Sequence, residues 1–126
     1  MSSNYLTLDD VLGIHQDSIE AFGGSHGIRD RGGLEAGVMR PQSGYYPDVM
    51  AEAAALWESL SQNHPFVDGN KRTAIASMAA HLGINGLWLQ PEQLEVYGFM
   101  MDLYTSGRCR MPELEAWLRA HAVAGE

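Results

Sequence analysis

Between Asn63 and Ala74 the chain reads NHPFVDGNKRTA, and nine of those residues hold an imidazole (His64), a carboxylate (Asp68), an amide (Asn70) and two cations (Lys71, Arg72). HPFVDG reads as a loop, stiffened by Pro65 and freed by Gly69, and NKRTA as the first turn of a helix. A helix N-terminus presents unpaired N–H groups and the positive end of the dipole, so it attracts anions, and Lys71 and Arg72 add full charges there. Phosphate is the natural guest. Asp68 would repel that phosphate unless a cation bridged the two, and a carboxylate beside a phosphate is how magnesium is commonly held. An imidazole such as that of His64 can take a proton from an attacking hydroxyl. Together these residues describe phosphoryl or nucleotidyl transfer from a magnesium nucleotide.

Each residue also has a plainer reading. His64 could bond the last carbonyls of the preceding helix, Asp68 could be an N-cap, and Lys71 with Arg72 could be a solvated face. The conjunction favours chemistry over these. A Walker A loop is excluded, because Lys71 follows no glycine directly and no strand precedes the loop. His15 and His81 fall within helical patterns and read as core or edge residues, His121 lies near a chain end, and no histidine pair has metal-ligand spacing with a third candidate. Arg29, Asp30 and Arg31 read most simply as a locally salt-bridged loop, with an arginine folded over the phosphate site as the alternative.

The elements that must position the motif are helical. Leu8, Val11, Leu12, His15, Ile19 and Phe22 recur at steps of three and four behind a capping Thr7. FGGSHGIRDRGG breaks that helix, and a short one follows from about Leu34 to Met39. RPQSGYYPD is irregular, compatible with a small hairpin or flap. A helix with Pro47 in its first turn carries Met50, Ala53, Ala54, Trp57 and Leu60 to the motif. The alanine-rich segment from Asn70 to Gly83 reads as the central, buried helix, LWL as a brief extended piece, and Pro91 and Pro112 as the openings of two last helices. The expectation is a single all-α domain over residues 1–126, a bundle of about six helices. In 126 residues there is no room for a second core.

Composition narrows the function. A formal charge of -8 argues against a surface that tracks nucleic acid, and the one lysine, Lys71, lies inside the motif. No run is long or apolar enough to span a bilayer, and the start of the chain has no signal-like pattern, so a soluble cytoplasmic protein is expected. The single cysteine, Cys109, agrees with a reducing compartment and suits a buried structural thiol.

HPFVDGNKRTA resembles the signature of the Fic/Doc family, and FGGSHGIRDRGGLEAGVMRPQ, AALWESLSQNHPFVDGNKRTA and LEAWLRAHA extend the likeness over most of the chain, toward the Doc (death-on-curing) branch. The common family pattern is H-P-F-x-x-G-N-G-R-x-x-R. Here Lys71 replaces a glycine and Ile75 the second arginine, as in the Doc branch. The resemblance implies a Fic/Doc-like bundle and a toxin kinase that transfers the γ-phosphate of ATP to a hydroxyl of a host protein, elongation factor Tu, arresting translation. His64 would be the general base and Asp68 the carboxylate that holds Mg2+ and orients substrate. Gly69 and Asn70 would cradle phosphate, Lys71 and Arg72 would grip its oxygens, and Phe66 would anchor the loop. A lysine in place of the glycine would fill the room needed for one nucleotide orientation and favour the other. Gln62 stands where some relatives carry a basic residue, so a phosphate contact from there would be lost.

Self-restrained Fic proteins share an [S/T]-x-x-x-E-[G/N] helix, and no serine or threonine of this chain has a glutamate four residues on. Inhibition is therefore expected from outside, from a small antitoxin protein. The rival readings are a Fic-type AMP or nucleotidyl transferase and a non-catalytic binding module with the same fold.

Overall fold

The structure, a computed structural model, describes residues 3–89, 102, 103, 106, 107 and 109–124. It is all-α apart from one small sheet. Helices α1 (Leu8–Phe22), α2 (Arg31–Met39), α3 (Val49–Gln62), α4 (Asn70–Ile84) and α5 (Met111–His121) are joined by a 3-10 turn at Arg40–Gln42 and two short strands, β1 (Leu87–Leu89) and β2 (Ala122–Ala124). The strands pair antiparallel, with Leu87 opposite Ala124 and Leu89 opposite Ala122. The helix expected from Pro91, with Leu94, Tyr97, Met101 and Tyr104, lies outside the described residues.

Local chemistry sets most helix starts. Thr7 and Asp10 form a reciprocal capping box at α1, Asp30 caps α2 through the Gly33 N–H, and Asp48 caps α3 through the Ala51 N–H. Because Asp30 supplies that cap, α2 begins at Arg31, earlier than the apolar pattern suggested. Pro47 precedes the cap of α3 and so stands outside the helix instead of in its first turn. The connection after α2 forms a single 3-10 turn and no hairpin: Arg40 reaches across it to Tyr46, Glu58 and Ser59, fixing the irregular backbone through side chains.

The deeply buried helix is α3, where we expected α4. Every residue from Ala51 to Trp57 is buried, small alanines letting α4 and α5 pack against it, whereas α4 leaves Lys71, Arg72, Ala76 and Ala79 in solvent. Trp57 meets Trp117 of α5 edge to face at 5.9 Å, and Leu56, Leu60, Met78, Leu82, Leu114 and Leu118 complete the core, with Cys109 buried among them. Arg119 of α5 forks onto Asp48 at 2.8 and 3.0 Å, which lowers the Asp48 carboxyl below its usual range and ties α5 to the cap of α3.

A histidine and a carboxylate meet deep in this core. His81 of α4, 1% exposed, bonds through Nε2 to Glu52 Oε1 of α3 at 3.2 Å, and the Tyr5 hydroxyl donates to the other Glu52 oxygen. Burial holds the His81 imidazole below its ordinary value of 6.5, against the opposing pull of Glu52. Between the folded and unfolded values only the unfolded chain takes up this proton, so stability is full above pH 6.5 and declines as the pH falls below it. Urea-unfolding midpoints measured from pH 7.5 to 5 should show that decline, and His81→Gln should flatten it; an equal slope in both proteins would show that other groups set the acid limb.

Candidate active site

The motif loop is held by a second loop laid against it. Gly27 to Asp30 runs antiparallel to the motif: the N–H groups of Arg29 and Asp30 both donate to the Pro65 carbonyl, at 2.7 and 3.0 Å, the Val67 N–H donates to the Gly27 carbonyl at 3.0 Å, and Ile28 bridges to Phe66. Arg29 also donates to the carbonyls of Asn63 and His64, at 2.9 and 2.7 Å, placing its cation at the negative end of α3. Arg29, Asp30 and Arg31 therefore do not pair with one another. Arg29 closes α3, Asp30 caps α2, and Arg31 meets Glu35 one turn on. Neither Arg29 nor Arg31 lines the cleft formed by the motif: Arg29 is bound to the two carbonyls and Arg31 to Glu35.

His64 has a backbone φ of +47°, uncommon for any residue but glycine. Pro65 bars helical continuation before it, and the Arg29 bond to its carbonyl holds the left-handed conformation, which costs about 1–3 kcal/mol. Its side chain is exposed, and its ring makes no hydrogen bond among the described residues. The plain role of a helix-end cap has passed to Arg29.

Phe66 is buried and stacks flat on the His15 ring, 3.8 Å between centroids and 5° between planes. Asn70 clamps the same residue from the other end of the loop: its Oδ1 accepts the Phe66 N–H and its Nδ2 donates to the Phe66 carbonyl, both at 2.9 Å. The Asn70 side chain, expected to cradle phosphate, thus shapes the loop with one Nδ2 hydrogen and keeps the other.

Gly69 begins α4 in the left-handed conformation, φ +76°, and no side chain caps the helix. Asp68 is not an N-cap. Its Oδ2 accepts the Ser25 N–H at 3.1 Å and its Oδ1 has no partner among the described residues. The first turn also runs against the dipole. It holds Lys71 and Arg72 and no acid, whereas α1, α3 and α5 each carry an acid there. Arg72 rests its guanidinium 5.2 Å over the ring of Phe22, itself 70% exposed, and donates to the Gly23 carbonyl at 3.3 Å. Uncapped N–H groups after a left-handed glycine, with two cations, are an arrangement that could receive an anion.

His64, Val67, Asp68, Gly69, Asn70, Lys71 and Arg72 line one cleft of about 280 Å³. All six residues singled out in the sequence meet there. No cluster of three or more His, Cys, Asp or Glu suited to a metal exists among the described residues, so a magnesium ion would have Asp68 as its protein ligand and take the rest from phosphate and water. Gln62 instead donates to the Cys109 carbonyl at 2.9 Å. The sequence did not single out His15 or Ser25 as parts of the site. His15 carried the signal of standing on the apolar stripe of α1, whereas the Ser25 contact is made by backbone.

A model of the Fic/DOC family matches residues 5–82. The chain is similar to "Toxin Doc" of Mycolicibacterium smegmatis, 38% identical over 130 aligned residues that cover 98% of each protein. It is also similar to "Protein kinase doc" of Escherichia phage P1, 29% identical over 87 residues, covering 66% of this chain and 69% of the relative.

Asn70→Ala should destabilise the domain by about 2 kcal/mol, one for each bond to Phe66, as read from denaturant midpoints. Asn70→Asp, which keeps the acceptor and loses the donor, should fall between the two. An unaltered midpoint in Asn70→Ala would mean that the clamp is not needed to hold the loop.

Proposed function

The chain belongs to the Fic/Doc family, and from that premise we propose that it is a toxin kinase that transfers the γ-phosphate of a magnesium-bound ATP to a hydroxyl of a host protein. The observation that carries this reading is the uncapped N-terminus of α4, with Lys71 and Arg72 in its first turn and His64 and Asp68 on the same cleft. The names of the two relatives, one a toxin and one a protein kinase, support it. A cleft of about 280 Å³ lies just below the range for small-molecule pockets and suits the phosphate chain more than a whole nucleotide.

In the proposed reaction His64 takes the proton of the attacking hydroxyl as that oxygen bonds to the γ-phosphorus, and the bond to the β-bridging oxygen breaks to release ADP. Charge that develops on the γ-phosphoryl oxygens falls to the α4 N–H groups, Lys71 and Arg72, which are in place before the reaction. Asp68 would hold the magnesium that arrives with the nucleotide. The protein substrate is elongation factor Tu, with arrest of translation as the outcome, and a small antitoxin protein restrains the enzyme in the cytoplasm. The absence of the self-inhibiting glutamate pattern supports an external restraint. No helix among the described residues is long and apolar enough to cross a membrane.

Purified chain incubated with a bacterial lysate should transfer label from γ-labelled ATP, and none from α-labelled ATP, to one band identifiable as elongation factor Tu. Transfer of the α label would establish nucleotidyl transfer in its place, and absence of both labels would favour a binding module. His64→Ala should lose at least roughly 100-fold in rate while staying folded. Lys71→Gly should abolish γ transfer or shift it toward α transfer. If the two labels behave in that variant as in the wild type, Lys71 does not orient the nucleotide. Expression of the chain alone should arrest growth, with rescue by a neighbouring open reading frame.

A further inference from the structure

Asp68 and Gly69 share the peptide on which the site turns, and that peptide is held from helix α1. His15 Nε2 lies 2.8 Å from the Asp68 carbonyl oxygen. A carbonyl only accepts, so Nε2 carries the hydrogen. The ring is 5% exposed and is kept in plane by its stack on Phe66. Packing alone would be served by a phenylalanine or a leucine at this place; the nitrogen is aimed at one oxygen.

That oxygen sets the direction of its neighbour. In a planar trans peptide the C=O and the following N–H point in opposite directions, so a carbonyl fixed on His15 turns the Gly69 N–H away from His15. Gly69, at φ +76°, is free of the Cβ clash that would otherwise restrain this peptide, and a flip would exchange the N–H for a carbonyl oxygen beside the uncapped N–H groups of α4. On the side-chain side, Asp68 Oδ2 is held by the Ser25 N–H, with Gly24 so close that a Cβ there would stand 3.3 Å from the same oxygen. The carbonyl and the carboxylate of one residue are thus fixed by α1 and by the loop that leaves it.

We propose that His15 is a positioning residue, which by its Nε2–H bond to the Asp68 carbonyl keeps the Asp68–Gly69 peptide turned so that the Gly69 N–H serves the nucleotide phosphates and the Asp68 carboxylate stays available to their cation. This rests on the reaction proposed above. It predicts that the bond, separately from the ring, is needed for turnover.

His15→Phe keeps a stacked ring and removes the donor; His15→Gln keeps a donor and removes the ring. With His15→Phe folded, kcat for γ-phosphate transfer should fall roughly ten-fold, the order seen when a residue orienting a ligand is lost, and His15→Gln should recover a substantial part of it. In the amide spectrum, MgATP should shift the Gly69 signal in the wild type and much less in His15→Phe. The ring nitrogens of the free wild-type protein should show the Nε2–H tautomer. An Nδ1–H tautomer, or a folded His15→Phe with wild-type kcat and Gly69 response, overturns the inference. If His15→Phe does not fold, a folded His15→Gln that is as inactive as His15→Ala overturns it, and one that stays active supports it. A wild-type protein that transfers no γ label overturns the kinase reading alone, since the tautomer and the Gly69 response to MgATP are read without turnover.

Discussion

The carbonyl of Pro65 accepts two backbone N–H groups from the loop between α1 and α2, and the arrangement of the site depends on that junction. It pins an otherwise solvent-exposed connection between two core helices, and with Val67 bonded to Gly27 it makes the segment locally extended. Extended backbone sends neighbouring side chains to opposite faces. Phe66 consequently enters the core against His15 while Val67 remains 54% exposed beside the cleft. The left-handed turn at His64 is held by the same loop, through Arg29.

This arrangement lets the protein leave a helix end open. Among the described helices α1, α2 and α3 are closed by side chains, and α1, α3 and α5 carry acids in their first turn, as the dipole favours. In α4 both rules are broken, at a cost of about 0.3–1 kcal/mol for each misplaced charge. The loop before α4 cannot rely on a cap for its order, so it is ordered by its neighbours: Asn70 on Phe66, His15 on Asp68, Ser25 on the Asp68 carboxylate. Violations of local preference that are compensated from elsewhere in the fold mark a functional site.

In an acidic protein the first turn of α4 sets two cations beside uncapped N–H groups, an arrangement that favours anions. The formal charge is -8, yet the only lysine and one of seven arginines are adjacent in α4. Other arginines are spent on structure: Arg40 on Glu58 and Ser59, Arg119 on Asp48 and Glu115, and Arg29 on the end of α3. Arg72 is steadied by an exposed ring and a helix-end carbonyl, contacts that leave most of its five N–H donors for a ligand.

The sequence by itself determined the helical class, the Thr7 cap, the start of α4 at Asn70 and the composition of the site, because periodicity, capping and a contiguous motif are properties of neighbours along the chain. Six candidate residues lie within nine positions, so no long-range contact was required to bring them together. Tertiary structure decided which contacts hold the loop in place. Asn70, Arg29 and His15 have partners on Phe66, on the end of α3 and on Asp68; those of Arg29 and His15 lie 34 to 53 residues away in sequence, so local pattern could not foretell them. The central helix was misplaced for the same reason. Alanine-rich segments such as α3 and α4 look alike as strings, and which of them lies deepest depends on how many other elements surround it, a matter settled by packing of the whole chain.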